Sequence, residues 1–70
     1  MNTDIKNYRL IDARKARGFS QTKMALLLGY RTCSGYALAE SGLIPSEEKQ
    51  KKIADILGVP VADLWPLEED

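Results

Sequence analysis

Apolar residues recur every three or four positions along the chain, and glycine or proline punctuates them at positions 18, 29, 42, 45, 58, 60 and 66 among others. No alternating pattern lasts long enough for a strand, so the expectation is an all-α fold. A first helix over about residues 4–17 would draw its apolar side from Ile5, Tyr8, Leu10, Ile11 and Ala13 and stop at Gly18. Ser20 reads as the N-cap of a second helix over 21–28, ended by Gly29. A third helix over about 33–41 has Thr32 as its first-choice N-cap and Ser34 as the competing start, with Gly42 behind it. Pro45 pushes Ile44 out of helical backbone, which makes Leu43-Ile44-Pro45 a short extended connector. Ser46 caps a fourth helix over 47–57, with Glu47 and Glu48 at the positive end of its dipole and Ile53, Ile56 and Leu57 as its buried stripe. Gly58 closes it. Pro60 opens a fifth helix over 60–65 as its first helical residue, with Val61, Leu64 and Trp65 turned inward, and Pro66 ends it. Helices this short hold one another only by sharing a core, so residues 1–70 read as a single domain.

Within that pattern, Ser20 to Gly42 has the spacing of a helix-turn-helix: a capped helix, a glycine turn, then a second helix. A small side chain at Ala25 lets the two helices cross closely, and Met24 and Leu28 share its side. The same helix reads MALLL, apolar almost all round. Leu26, Leu27 and the later Leu38 therefore admit two readings, burial against the first or fourth helix, or an exposed contact with a partner.

Composition narrows the chemistry. With one cysteine and no histidine, no internal disulfide or structural zinc site is expected. There is no glycine-rich phosphate loop and no convincing carboxylate pair, and a nucleophile would be Cys33 or a serine without a visible base, so enzymatic chemistry and bound cofactors are not expected. No apolar run approaches the roughly 18 residues of a membrane span. The start, MNTDIKNYRL, lacks the apolar core of a secretory signal, so a cytoplasmic location is expected. Met1 and the acidic Glu68-Glu69-Asp70 tail fit a complete small protein. The formal net charge is zero, yet residues 1–42 carry +4 and residues 43–70 carry −4. A basic half suits a polyanionic partner, while overall neutrality disfavours strong nonspecific binding.

The segments RKARGFSQTKMALLLG, YALAESG and IADILGVPVADLW, in this order and spacing, resemble the Cro/C1-type (XRE-like) helix-turn-helix domain of phage repressors and small bacterial transcriptional regulators. The resemblance covers residues 9–66 and implies a five-helix lambda-repressor-like DNA-binding domain. It further implies a sequence-specific, repressor-like regulator that binds a two-fold operator on double-stranded DNA as a homodimer, with half-sites about one helical turn apart. Gln21 matches a position that contacts a DNA phosphate, as a helix N-terminus with free amides can. Ser20, Lys23, Arg31, Thr32 and Ser46 join it as expected phosphate contacts, the last through nearby amides. Cys33, Ser34, Ala37 and Leu38 take the base-facing positions of the recognition helix. Arg14 and Glu40 match a partly buried salt bridge between the first and third helices. The region after the fourth helix often contributes to dimerisation, which makes Leu64 and Trp65, with Leu26 and Leu27, candidate dimer or partner contacts.

The chain departs from that family in three ways. Gly29 to Glu40 is one residue longer than the commonest spacing and Gly42 to Pro45 is shorter, so Cys33 and Ser34 admit two registers on the third helix. The usual base readers, Arg, Lys, Asn and Gln, are missing from that helix, and Arg31 stands before it. Ser34 can bond several bases, and Ala37 can touch only a thymine methyl, so specificity would lean on DNA shape. Leucine at 26, 27 and 38 replaces residues that are commonly polar. This leaves an alternative, a helix-turn-helix fold serving as a protein-interaction module of the anti-repressor or antitoxin kind. At single residues, Cys33 reads as a small half-buried side chain rather than a redox or metal sensor. Tyr36 reads as a core anchor beside the small Ala39, rather than a stacking residue. Trp65 reads as core or dimer edge rather than the wall of a ligand pocket.

Overall fold

Four helix starts are marked by a residue that frees its backbone from the helix, and the ends of α2 and α4 by a glycine in left-handed backbone. The computed structural model describes residues 6–66. Among them are five helices and no strand: α1 (Tyr8–Ala16), α2 (Gln21–Leu28), α3 (Ser34–Glu40), α4 (Glu47–Leu57) and α5 (Val61–Leu64). The Ser20 hydroxyl accepts the Lys23 amide proton at the start of α2, and Ser46 does the same for Lys49 at the start of α4. Gly29, at φ +90°, ends α2 in a backbone region that costs an L-residue about 1–2 kcal/mol.

Three starts differ from the sequence expectation. α1 begins at Tyr8 rather than near Asp4, because Asn7 caps it by accepting the Leu10 amide proton. Lys6 and Asn7 are therefore non-helical, and Tyr8 is exposed rather than on the apolar side. Asp4, Ile5 and the acidic tail lie outside the described residues. α3 is not capped by Thr32: Cys33 occupies the cap position without a side-chain bond, and the Thr32 hydroxyl accepts from the Ser34 amide at 3.4 Å. Pro60 stands at the N-cap of α5 in extended backbone, so the helix begins at Val61.

The core is one cluster to which every helix contributes: Leu10 from α1; Met24, Ala25 and Leu28 from α2; Tyr36 and Ala39 from α3; Ile53, Ala54 and Leu57 from α4; Leu64 from α5. α2 packs on α3 and α4, α5 packs on α4, and α1 closes against α3 and α5. Each helix inserts one stripe, so none is buried on two sides. For α2 that stripe is Met24, Ala25 and Leu28, which leaves Leu26 (61%) and Leu27 (47%) exposed. Burial against α1 or α4 is thereby excluded for both.

Candidate functional site

The third helix is held from behind by its own last residue. Glu40 is buried, and its carboxylate accepts from three donors on two other helices. Arg14 of α1 reaches it with Nε at 2.5 Å and Nη2 at 3.4 Å, and Gln21 of α2 with Nε2 at 2.8 Å. The remaining Arg14 nitrogen, Nη1, donates to the Phe19 carbonyl at 2.8 Å, which fixes the loop between α1 and α2. Burial alone would raise the Glu40 carboxyl, but the hydrogen bonds from Arg14 and Gln21 outweigh it and hold the group below its ordinary value. The hydrogen bond to Glu40 raises the Arg14 guanidinium in turn. The Tyr36 hydroxyl is buried beside this pair with no partner in hydrogen-bonding geometry. Its burial, then the adjacent Glu40, pushes the phenol well above its ordinary range.

The resemblance implies that Gln21 meets a phosphate through both its side chain and its backbone amide. Its side-chain amide donates to Glu40 instead, so what α2 presents outward at this point is backbone. Ser20 engages the amides of Lys23 and Met24 through its hydroxyl and carbonyl. The amides of Gln21 and Thr22 have no partner among the described residues.

Asn7 is a site residue that sequence reasoning missed. Its N–H donates to the Glu40 carbonyl at 2.9 Å, and its carbonyl accepts from Ile11 at 3.1 Å. Its Oδ1 accepts from Leu10 and its Nδ2 donates to the Leu64 carbonyl, both at 3.0 Å. One residue thus starts α1, closes α3 and anchors α5. An available signal was the strong N-cap preference of asparagine, three positions before Leu10.

With Tyr36, Ala39 and Glu40 turned inward, the opposite face of α3 carries Ser34, Leu38 and Ser41 at positions i, i+4 and i+7. Leu38 is 53% exposed, and Ala37 flanks it half-buried. The Ser41 hydroxyl donates to the Leu38 carbonyl at 2.8 Å. Cys33, expected to face bases, is instead half-buried against the core at the cap position, and the helix begins with Ser34. A concavity on one flank is lined by Lys6, Ile11, Gln21, Ala37, Glu40 and Ser41. On the other, Leu38 shares a concavity with Tyr30, Leu43, Ser46 and Lys49. There the Lys49 ammonium sits 4.6 Å from the centre of the Tyr30 ring, so this lysine is held rather than freely solvated. A Cβ on Gly35 would meet the same ring at 3.2 Å, so the glycine leaves room for Tyr30 to lie against α3.

Of the remaining expected phosphate contacts, Ser20, Lys23, Arg31, Thr32 and Ser46 are all exposed, and only Ser46 lines either concavity. Glu47 and Glu48 fill the first turn of α4, which disfavours an anion at that helix start. Leu64 is 1% exposed and belongs to the core, so it is not available to a partner. Trp65 is half-buried and lines a surface concavity with Tyr8 and Ile44. Among the described residues no cluster of His, Cys, Asp or Glu is placed to hold a metal ion, and no helix is long and apolar enough to cross a membrane. No protein-family model matches the chain, and no match is found among curated proteins.

Proposed function

We propose that this chain is a cytoplasmic, sequence-specific DNA-binding regulator of the Cro/C1 (XRE-like) kind, in which α2 and α3 form the helix-turn-helix of a lambda-repressor-like domain. One observation carries the reading: α3 is fastened on its inner side by Glu40 to α1 and α2, while its outer side stays open. A helix held rigidly from behind with an unencumbered face is what insertion into a major groove requires. The two free amides at the start of α2, with Lys23 in its first turn, suit a phosphate on one side of that face. Arg31 and Thr32, exposed in the turn, suit the approach to the groove. We assign Trp65, Tyr8 and Ile44 to the contact between two copies on a two-fold operator. The role needs no cofactor, metal or catalytic group.

The test is binding to random duplex DNA across a salt series, read by fluorescence anisotropy. A log–log slope of several units is expected, and replacing Arg31 by Ala should weaken binding and flatten that slope by about one. Absence of binding at low salt, at concentrations where the chain self-associates, would remove the reading. The exposed Leu26 and Leu27 favour the second reading, a protein-interaction module built on the same helices, which that outcome would support.

A further inference from the structure

We propose that the outward face of α3 reads the 5-methyl groups of thymine, so that Leu38, flanked by Ala37, makes the chain select A·T pairs in each half-site. The proposal rests on the DNA-binding reading above and adds what the helix reads and with which atoms.

The hydrogen-bonding capacity of this face is confined to the hydroxyls of Ser34 and Ser41. α3 has no Arg, Lys, Asn or Gln, and the Ser41 hydroxyl proton is given to the Leu38 carbonyl. The nearest side-chain amide, that of Gln21, is turned to Glu40. What remains at the centre is the isobutyl group of Leu38, more than half exposed, with the methyl of Ala37 beside it and the Ser34 hydroxyl one turn earlier. Of the four bases, only thymine offers an apolar group to the major groove. An isobutyl group on the groove floor gains from burying that methyl, and gains nothing from the polar edges of the other three.

The charges around the stripe select a duplex over an apolar protein surface as its occupant. Lys6 borders it on the Ala37 side, and Lys49, held against Tyr30, borders it on the Leu38 side. A strip of methyl and isobutyl groups flanked by the Lys6 and Lys49 side chains complements a groove floor carrying methyl groups between two phosphate backbones, the Lys49 ammonium and not the α4 start, where Glu47 and Glu48 stand, meeting the second backbone.

The experiment uses the full chain to select duplexes from a random pool. The enriched half-site is then resynthesised with deoxyuridine at each thymine in turn, a change that removes the 5-methyl group alone. Affinity is expected to fall about fourfold at one or two positions per half-site, the effect of one buried methyl-sized group. With Leu38→Ala, a surface substitution whose melting temperature should match the parent, the thymine-to-deoxyuridine ratio at those positions should approach one. Selective binding that ignores deoxyuridine everywhere would overturn the proposal and leave the DNA-binding reading intact. Failure to bind any duplex would overturn both. If Leu38→Ala abolished self-association and left DNA selection unchanged, Leu38 would be a protein contact and the proposal would fall.

Discussion

At the scale of single residues, Glu40 decides the geometry of the site, and its chemistry is pH-dependent. Its carboxyl is held below the value it has in the unfolded chain, so the unfolded state binds the extra proton first as acid is added. The stabilisation is therefore fully present above the ordinary glutamate value, near pH 4.3, and is lost as pH falls through the lower folded value. Urea unfolding at a series of pH values should show this acid limb in the parent. It should be flattened in Glu40→Gln, which is expected to be less stable at pH 7 by about 3 kcal/mol, as for a buried pair that loses one charge. An unchanged acid limb would mean that Glu40 does not titrate as this geometry requires. Nothing in the periodicity of the chain marks Arg14 and Glu40 as partners, since 26 residues separate them. The pair was legible only through a family resemblance. The bond from Gln21 to the same carboxylate was not legible at all, because a glutamine at a helix start looks alike whether it faces solvent or a buried acid.

At the scale of elements, legibility follows the range of the physics. α2 and α4 lie between Ser20 and Gly29 and between Ser46 and Gly58, because a cap hydroxyl and a left-handed glycine act within a few residues. α1 does not obey local rules alone. Its cap, Asn7, also has partners at Glu40 and Leu64 to bond. Likewise, a run such as MALLL has no polar residue to mark its outer face, so only the packing shows which leucines stay out. Asn7→Asp separates the two functions of its side chain. The carboxylate still caps α1, but a donor to the Leu64 carbonyl becomes an acceptor. A loss of about 1–3 kcal/mol against the parent is expected from the unmatched carbonyl, measured by urea unfolding, and Asn7→Ser, which keeps a cap but also lacks the donor to Leu64, should lose no more than the Asp variant. Parent-like stability of both variants would mean that the bond to Leu64 contributes little.

At the scale of the whole molecule, the helical class was open to reading from the chain, while the distribution of its surface was not. Apolar side chains stand out at Leu26, Leu27, Leu38 and Leu43, and separately at Tyr8 (59%) and Ile44 (70%), which share a concavity with Trp65. If that second patch joins two copies, folding is linked to association, and the melting temperature should rise with protein concentration. Ile44→Lys, on the surface, should remove that dependence and leave the melting temperature of dilute protein nearly unchanged. A melting temperature that is flat with concentration in the parent would place the patch outside any dimer contact. The Asn7 knot has a further consequence for how the molecule opens. α5 has only four residues and would ordinarily be the first part to fray, yet its last carbonyl is bonded to the residue that also holds the beginning of α1 and the end of α3. Peeling it away loosens the helix that faces outward as well. In hydrogen exchange, the amides of Asn7, Leu10 and Trp65 should consequently lose protection together, as one cooperative unit drawn from both extremities of the described chain.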